Sequence, residues 1–433
     1  MVTANPHQTA VQLLTGANVA GDHKSVMNLD SSLANVDRLA YHRRKMLTHG
    51  TYPSRGGDKF VNGLAEFMRQ HPDFVIHHQF SPTVLVVMQT RYMVTCMAEE
   101  ILRGDARHGF VTDANHGFFV SDHKYLITTT AFSVNLRRWV PIFLAYSGGQ
   151  AEGDYREYFY QLFASMHRSL GTESNITDEH YAQVCFICLA LYYSLLNSGQ
   201  YKVVDFSQAQ MAGFTHAFAD WHLAQRGIAK EQWSDSSHDS DRNNYMRRSQ
   251  ALLKGCLVHF QRSVKMVAQS GSLVAPGAAP RFRNLCNELR SVPSVTQFRV
   301  IEADLRREFP SIKGWLDWWV RPAMSPKIFE AFKVMKPSLD TSLPDTTNPV
   351  ESLHNILGVS VGQGHQILDG LNSLLAWVTR YELQNEAVKS AVDFLGYPPS
   401  PYLMFTSRFR WYHVRIWRSR PPSTGSQFCE GFR

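Results

Sequence analysis

Three acidic residues stand out because of what surrounds them. Asp113 closes the run Gly109-Phe110-Val111-Thr112-Asp113, Asp205 sits in Val203-Val204-Asp205-Phe206, and Glu351 in Thr346-Thr347-Asn348-Pro349-Val350-Glu351-Ser352. They are 92 and 146 residues apart, so only a folded domain can bring them together. Carboxylates gathered on rigid elements hold hard divalent cations through oxygen. A pair of such cations about 3.5–4 Å apart can activate a hydroxyl and stabilise the leaving oxygen of a phosphodiester. Each acid alone has a plainer reading. An Asp at a strand end serves as a turn or cap residue, and a Glu in a first helical turn is favoured by the helix dipole. Asp122 is a rival for the first acid, but it lies in the polar turn Ser121-Asp122-His123-Lys124.

The surrounding pattern supplies the elements needed to position these acids. Val84 to Met88 is a short apolar run that reads as a buried strand. Gly109 to Asp113, Tyr125 to Phe132 and Trp139 to Tyr146 read as three further strands joined by short polar links, an antiparallel meander. Pro141 in the last of them argues for an edge or a strand start. Asp154 to His167 reads as a helix with Tyr158, Phe159, Leu162, Phe163 and Met166 on one face, and the apolar run from Cys185 to Leu196 as a buried helix. Val203 to Phe206 is a fourth strand, with Ser207 capping the helix that follows. Residues 231–245 read as a polar linker and Tyr245 to Ala268 as a helical block, after which helices continue to Phe329. Thr347 or Asn348 can cap the helix that carries Glu351, with Pro349 at its first position. The expected fold class is α/β: a mixed sheet flanked by helices, with a mostly helical insertion before the last helix.

The ordered segments Gly109 to Asp113, Arg138 to Ile142, Val203 to Gln210, Cys256-Leu257-Val258-His259 and Thr346 to Ser352 resemble the catalytic region of Mutator-like element DNA transposases, particularly fungal relatives. The resemblance covers roughly residues 105–395. It implies a ribonuclease H-like fold interrupted by a helical insertion. It also implies a DDE triad at Asp113, Asp205 and Glu351 that holds Mg²⁺ or Mn²⁺, and double-stranded DNA as substrate. Further implications are a homo-oligomer that joins two transposon ends, and work in the nucleus. The Cys-x-x-His pair typical of the insertion maps to Cys256 and His259. As half a Zn²⁺ site this pair lacks a second ligand pair; as a packing or hydrogen-bonding pair it needs none. The expected division is 1–104 mainly helical, 105–230 the first part of the catalytic domain, 231–345 the insertion, 346–398 the closing helical part and 399–433 a basic aromatic tail.

Two other readings stand beside this one. The family's N-terminal zinc-binding recognition module has no counterpart in residues 1–104, whose only cysteine is Cys96, which suits an inactive or domesticated derivative that binds DNA or protein. A ribonuclease H-like nuclease without strand transfer is the other. A formal net charge of +7 over 433 residues permits a polyanionic partner without demanding one. Arg137, Arg138 and the tail residues Arg408, Arg410, Arg415 and Arg418 are candidate phosphate contacts. Six scattered cysteines argue against a disulfide framework. The longest apolar run, Val184 to Leu196, is too short to span a bilayer, so no membrane partner is expected. Cys185 and Cys188 read as buried small side chains. Trp315, Trp318 and Trp319 at helical spacing read as core, and His354 as a neighbour of Glu351 able to approach its site.

Overall fold

In the computed structural model, residues 39–40, 58–103, 108–120, 124–170, 177–181, 183–185 and 206–395 are described. The chain divides into two compact units, Met1–Glu386 and Ala387–Arg433. Of the second, only the end of its helix through Leu395 is described. Asp122, Cys188, Asp205 and the tail arginines Arg408, Arg410, Arg415 and Arg418 lie outside the described residues.

The first unit begins with α1 (Asp58–Gln70), β1 (Val75–Gln79), β2 (Leu85–Met88) and α2 (Arg91–Leu102). The expected strand at Val84 to Met88 is present, and all four residues of β2 are buried. Three longer strands follow, β3 (Phe110–Asn115), β4 (Tyr125–Ser133) and β5 (Arg138–Ser147), then α3 (Glu152–Leu170), β6 (Gln183–Cys185) and α4 (Phe206–Gln225). The seven-stranded sheet has the order β1-β2-β5-β4-β3-β6-β7, where β7 is Leu253–Gly255. Pairings β3–β4 and β4–β5 are antiparallel, as the meander predicts, whereas β3–β6 and β6–β7 are parallel. The segment before residue 105 is thus continuous with the sheet, because β2 pairs with β5.

Pro141 sits in an interior strand, contrary to the expectation of an edge. Two local features make room for it. The β4–β5 register slips between Thr129 and Thr130, which pair with Phe143 and Pro141, a bulge that tolerates a missing donor. The β2–β5 ladder runs only from Leu144 to Ser147, so Pro141 lies beyond its end.

The sheet's two faces carry different layers. On one, Thr112 and Thr129 share a hydrogen bond of 2.8 Å, and Thr129 bonds the Tyr158 hydroxyl of α3 at 2.7 Å. Tyr158, Phe159, Leu162, Phe163 and Met166 of α3 are fully buried there. Helix α4 crosses α3 at Gly213, where an added Cβ would come within 2.5 Å of Tyr155 Cβ and 2.8 Å of the Arg156 nitrogen. Only glycine permits that approach. Gln210, in the opening turns of α4, donates to the Thr112 carbonyl of β3 at 3.1 Å.

Three sequence expectations change here. Cys185, expected to open a buried helix, instead ends the strand Gln183–Cys185, and residues 186–196 of that run lie outside the described residues. Helix α4 starts at Phe206, which puts Ser207 inside the helix and not at its cap. The stretch 231–245 is not an open linker: after two short 3₁₀ turns, α5 (Asp239–Gln250) begins with Asp239 and Asp241 in its first turn, where the dipole favours acids. The block from Tyr245 onwards is then split by β7.

Beyond β7 the chain is helical: α6 (Leu257–Gln269), α7 (Ala279–Ser291), α8 (Val295–Glu308), α9 (Lys313–Val320), α10 (Ser325–Ile328) and α11 (Pro337–Ser342). Its apolar residues continue the core of the sheet, with Phe260 and Trp319 ring centroids 4.9 Å apart at 85° and Trp315 donating to Ser263 at 3.3 Å. Trp315 and Trp319 are buried as expected, and Trp318 is half-buried under the Arg321 guanidinium, 4.7 Å from its ring. The chain then returns to the sheet through α12 (Asn348–Ser360) and α13 (Ile367–Leu395). No helix among the described residues is long and apolar enough to cross a membrane.

Candidate active site

Asp113 is the fourth residue of β3, inside the sheet. It pairs with Thr128 of β4, and residues directly opposite in an antiparallel pair share a face. That face is opposite the one on which Thr112 and Thr129 meet α3, because neighbouring residues of a strand alternate. It is covered by α12. The Asp113 carboxyl is buried, and the hydrogen bond it accepts among the described residues comes from the Ala114 N–H at 2.7 Å. Burial pushes its pKa up to about 8, the Ala114 bond opposes the shift, and the charge of Glu351 adds to it. A carboxyl so raised holds its proton at neutral pH unless a cation compensates.

Glu351 lies in the first turn of α12. Thr347 occupies the N-cap position, as expected, but its hydroxyl does not bond a helix N–H. It donates to Glu351 Oε1 at 2.9 Å and lies 3.5 Å from Cys256 Sγ, which also accepts the Thr347 N–H at 3.4 Å. Cys256 caps α6 and is fully buried. One turn further along α6, His259 Nε2 lies 3.5 Å from Glu351 Oε1, and Arg262, half-exposed, places a guanidinium nitrogen 3.6 Å from Oε2. Burial pushes the His259 imidazole down, against the pull of Glu351. Cys256 and His259 therefore both serve the start of α12, which favours the hydrogen-bonding reading of that pair over half a zinc site.

Lys254 of β7 fixes the end of α11 and the loop that leads into α12. Its buried ammonium donates to the carbonyls of Asp340 at 2.6 Å and Leu343 at 3.0 Å and lies 2.8 Å from Asp345 Oδ1. Leu257 N–H adds a bond to the Asp345 carbonyl at 2.8 Å. At the other end of α12, the loop Gly117 to Val120 pairs with Gly364 and His365, through bonds of 2.8–3.0 Å. The helix is thus tied at both ends to the edges of the β3 face.

His354, one turn after Glu351, completes the wall. Its imidazole is 11% exposed, and Nδ1 lies 3.7 Å from Asp113 Oδ2. Burial, with His116 nearby, pushes its pKa down to about 3. Among the described residues, its buried Nε2 has no hydrogen-bond partner, nor has the Thr128 hydroxyl. Thr128 and Lys254 had no sequence signal as site residues. The first is one of three consecutive threonines in a strand, and the second a lone cation between two helical patterns.

The expected site residues are thus only partly assembled. Asp113 and Glu351 come together, with His259 and Cys256 behind Glu351. Asp205 lies outside the described residues, although the helix directly following it is tied to β3 through Gln210. Arg137 and Arg138 do not reach the site. They lie at the β4–β5 turn, where Ser133 pairs with Arg138, five residues from Thr128, or about 17 Å at the usual rise per residue. Arg138 instead stacks over Tyr381 at 4.7 Å and bonds Gln384 of α13. Among the described residues, no three His, Cys, Asp or Glu side chains form a complete metal-binding group. Comparison with protein-family models, with curated proteins and with solved structures finds no match to this chain.

Proposed function

We propose that this chain is a transposase-type polynucleotidyl transferase with a ribonuclease H-like core, acting on double-stranded DNA through divalent cations held by Asp113, Asp205 and Glu351. The observation that carries the reading is the meeting of Asp113 and Glu351. They are 238 residues apart in sequence, yet close enough for one charge to raise the other's pKa. The topology supports it: an antiparallel meander, a helix, a strand parallel to β3, a helix, a further parallel strand, a helical excursion, and a returning helix that bears the last acid.

Mg²⁺ or Mn²⁺ would supply Lewis-acid activation of the attacking oxygen and stabilisation of the leaving oxygen. The residues that would hold such a group are Asp113, whose buried carboxyl accepts a hydrogen bond from Ala114, and Glu351, which already has Thr347, His259 and Arg262 about it. Asp113 is fixed by the backbone ladder, and Glu351 by Thr347 and the Cys256 thiol behind it. Arg262 stands at the exposed side of Glu351, where a phosphate oxygen would find a charge-assisted partner. An oligomer that holds two DNA ends, working in the nucleus, follows from the same reading.

The test is a strand-cleavage assay on DNA carrying the element's ends, with Mg²⁺ or Mn²⁺ and with Asp205→Asn as control. Cation-dependent nicking that the substitution abolishes supports the proposal, and nicking that survives it removes the triad. Joined DNA products distinguish a transposase from a nuclease without strand transfer. A protein that binds DNA but cuts none under any cation fits an inactive or domesticated derivative.

A further inference from the structure

The segment between Asp241 and Glu288 carries eight Lys or Arg residues and no Asp or Glu. At the chain's own ratio of 37 acids in 433 residues, about four would fall there. Five of the eight cations, Arg262 among them, are matched to acids from elsewhere in the fold. Arg247, Lys265 and Arg283 are exposed and have no acidic partner among the described residues. A helix face built for solvent alone usually mixes the two signs of charge.

Helix α6 brings this excess to the candidate site. Phe260, Val264 and Val267 bury one side of it in the core. Arg262, Lys265 and Gln269 are exposed, and their spacing of three and four residues puts them on one face. That face begins beside Glu351, 3.6 Å from the Arg262 guanidinium, and runs about 10 Å along the helix. A DNA duplex carries one negative charge per about 1.7 Å of its axis, so the face spans several phosphates. Arg, Lys and Gln side chains are the usual donors to phosphate oxygens, and α6 has no acid to repel them. Binding of single strands adds aromatic rings on which bases stack. The ring-bearing residues of α6, His259 and Phe260, are both buried, which leaves this face only the backbone to grip.

We infer that the exposed face of α6, formed by Arg262, Lys265 and Gln269, seats the phosphate backbone of double-stranded DNA beside the candidate active site. The inference rests on the DNA-directed reading proposed above and adds where the duplex lies. The contact is electrostatic and independent of base sequence, and it requires neither a divalent cation nor cleavage.

The experiment is fluorescence anisotropy of a labelled random-sequence duplex titrated with the full chain in EDTA, over a series of salt concentrations. Lys265→Gln should make the slope of log affinity against log salt shallower by about 0.9, the value for one lost phosphate contact, and Lys265→Arg should restore it. Arg91→Gln removes the same charge from an exposed position on α2, which packs against α3, and should leave the slope unchanged. A wild-type slope in Lys265→Gln, or an equal change in Arg91→Gln, overturns the inference. So does a change seen with a single strand but not with the duplex. Wild-type protein that does not bind the duplex overturns both this inference and the proposed function. The expected slopes in a protein that cuts no DNA under Mg²⁺ or Mn²⁺ support the inference and count against the cleavage reading.

Discussion

The two acids of the site are held in opposite ways. Asp113 sits in a strand with paired neighbours on both sides, so its position is a property of the backbone ladder. Glu351 sits at the start of a helix reached only after a long helical excursion, and its position depends on side chains: Lys254 of β7 against the segment that leads into α12, Cys256 and Thr347 near its N-terminus, His259 and Arg262 beside the carboxylate. A ladder tolerates the loss of any one side chain, whereas a clamp does not. Substitutions around Glu351 should therefore damage the site far more than equally conservative substitutions along β3 or β4.

The largest stability effect within this comparison is expected at Lys254. Lys254→Met keeps the apolar stem but leaves the Asp340 and Leu343 carbonyls and the Asp345 carboxylate without this ammonium. Denaturant unfolding should show a loss of about 2–4 kcal/mol; a loss below about 1 kcal/mol would mean that the segment leading into α12 is held elsewhere. Gly213→Ala tests the opposite layer, where α3 and α4 cross and the helix after Asp205 is set against β3. Its Cβ meets backbone and Cβ atoms that cannot swing away, so about 1–3 kcal/mol should be lost, together with any activity that needs Asp205.

Thr347→Val sharpens the comparison, because it removes the hydroxyl that orients Glu351 while keeping the shape. Divalent-cation affinity should fall by about tenfold, with stability changed by only about 1 kcal/mol. Thr129→Val, on the α3 face of β4, should leave cation affinity unchanged.

A smaller effect follows from pH. Asp113 titrates near 3.8 when exposed and near 8 in the fold, so the stability it contributes is complete at low pH and is lost as pH rises through 8. His354 has the opposite sign: it titrates near 6.5 when exposed and near 3 in the fold, so its contribution is complete above 6.5 and is lost on acidification. The two oppose each other below pH 6.5, and above it only Asp113 is still changing. Thermal unfolding without divalent cations should therefore show a melting temperature that falls between pH 6.5 and 8 by on the order of a few degrees. Asp113→Asn should flatten that slope.

The smallest effect belongs to the turn at Arg137, whose φ is +50°. Arg137→Gly should be neutral or stabilising by up to about 1 kcal/mol, without loss of cleavage, because this turn lies at the far end of β4 from Thr128.

The same contrast explains what could be read from the sequence. Tyr125 to Phe132 and Trp139 to Tyr146 are rich in β-branched and aromatic residues, so β4 and β5 were legible, and Asp113 with them. The β1 sequence Val-Ile-His-His-Gln is too polar and too exposed to signal a strand. The three residues of β7 are hidden between two helical patterns and owe their conformation to pairing with β6. Glu351 was legible from the motif around it. Its clamp was not, because the partners of Lys254 lie 86 and more residues away and no local pattern encodes them. His354 was visible as a neighbour of Glu351, but its approach to Asp113 depends on how α12 lies on the sheet.

The most direct test of the account is a calorimetric titration of Mn²⁺ and Mg²⁺ into the wild-type chain, Asp113→Asn and Glu351→Gln. The account predicts binding to the wild type that each substitution abolishes or weakens severely, because the two carboxylates serve one site. Equal binding in all three proteins, or none to a folded wild type, would contradict it.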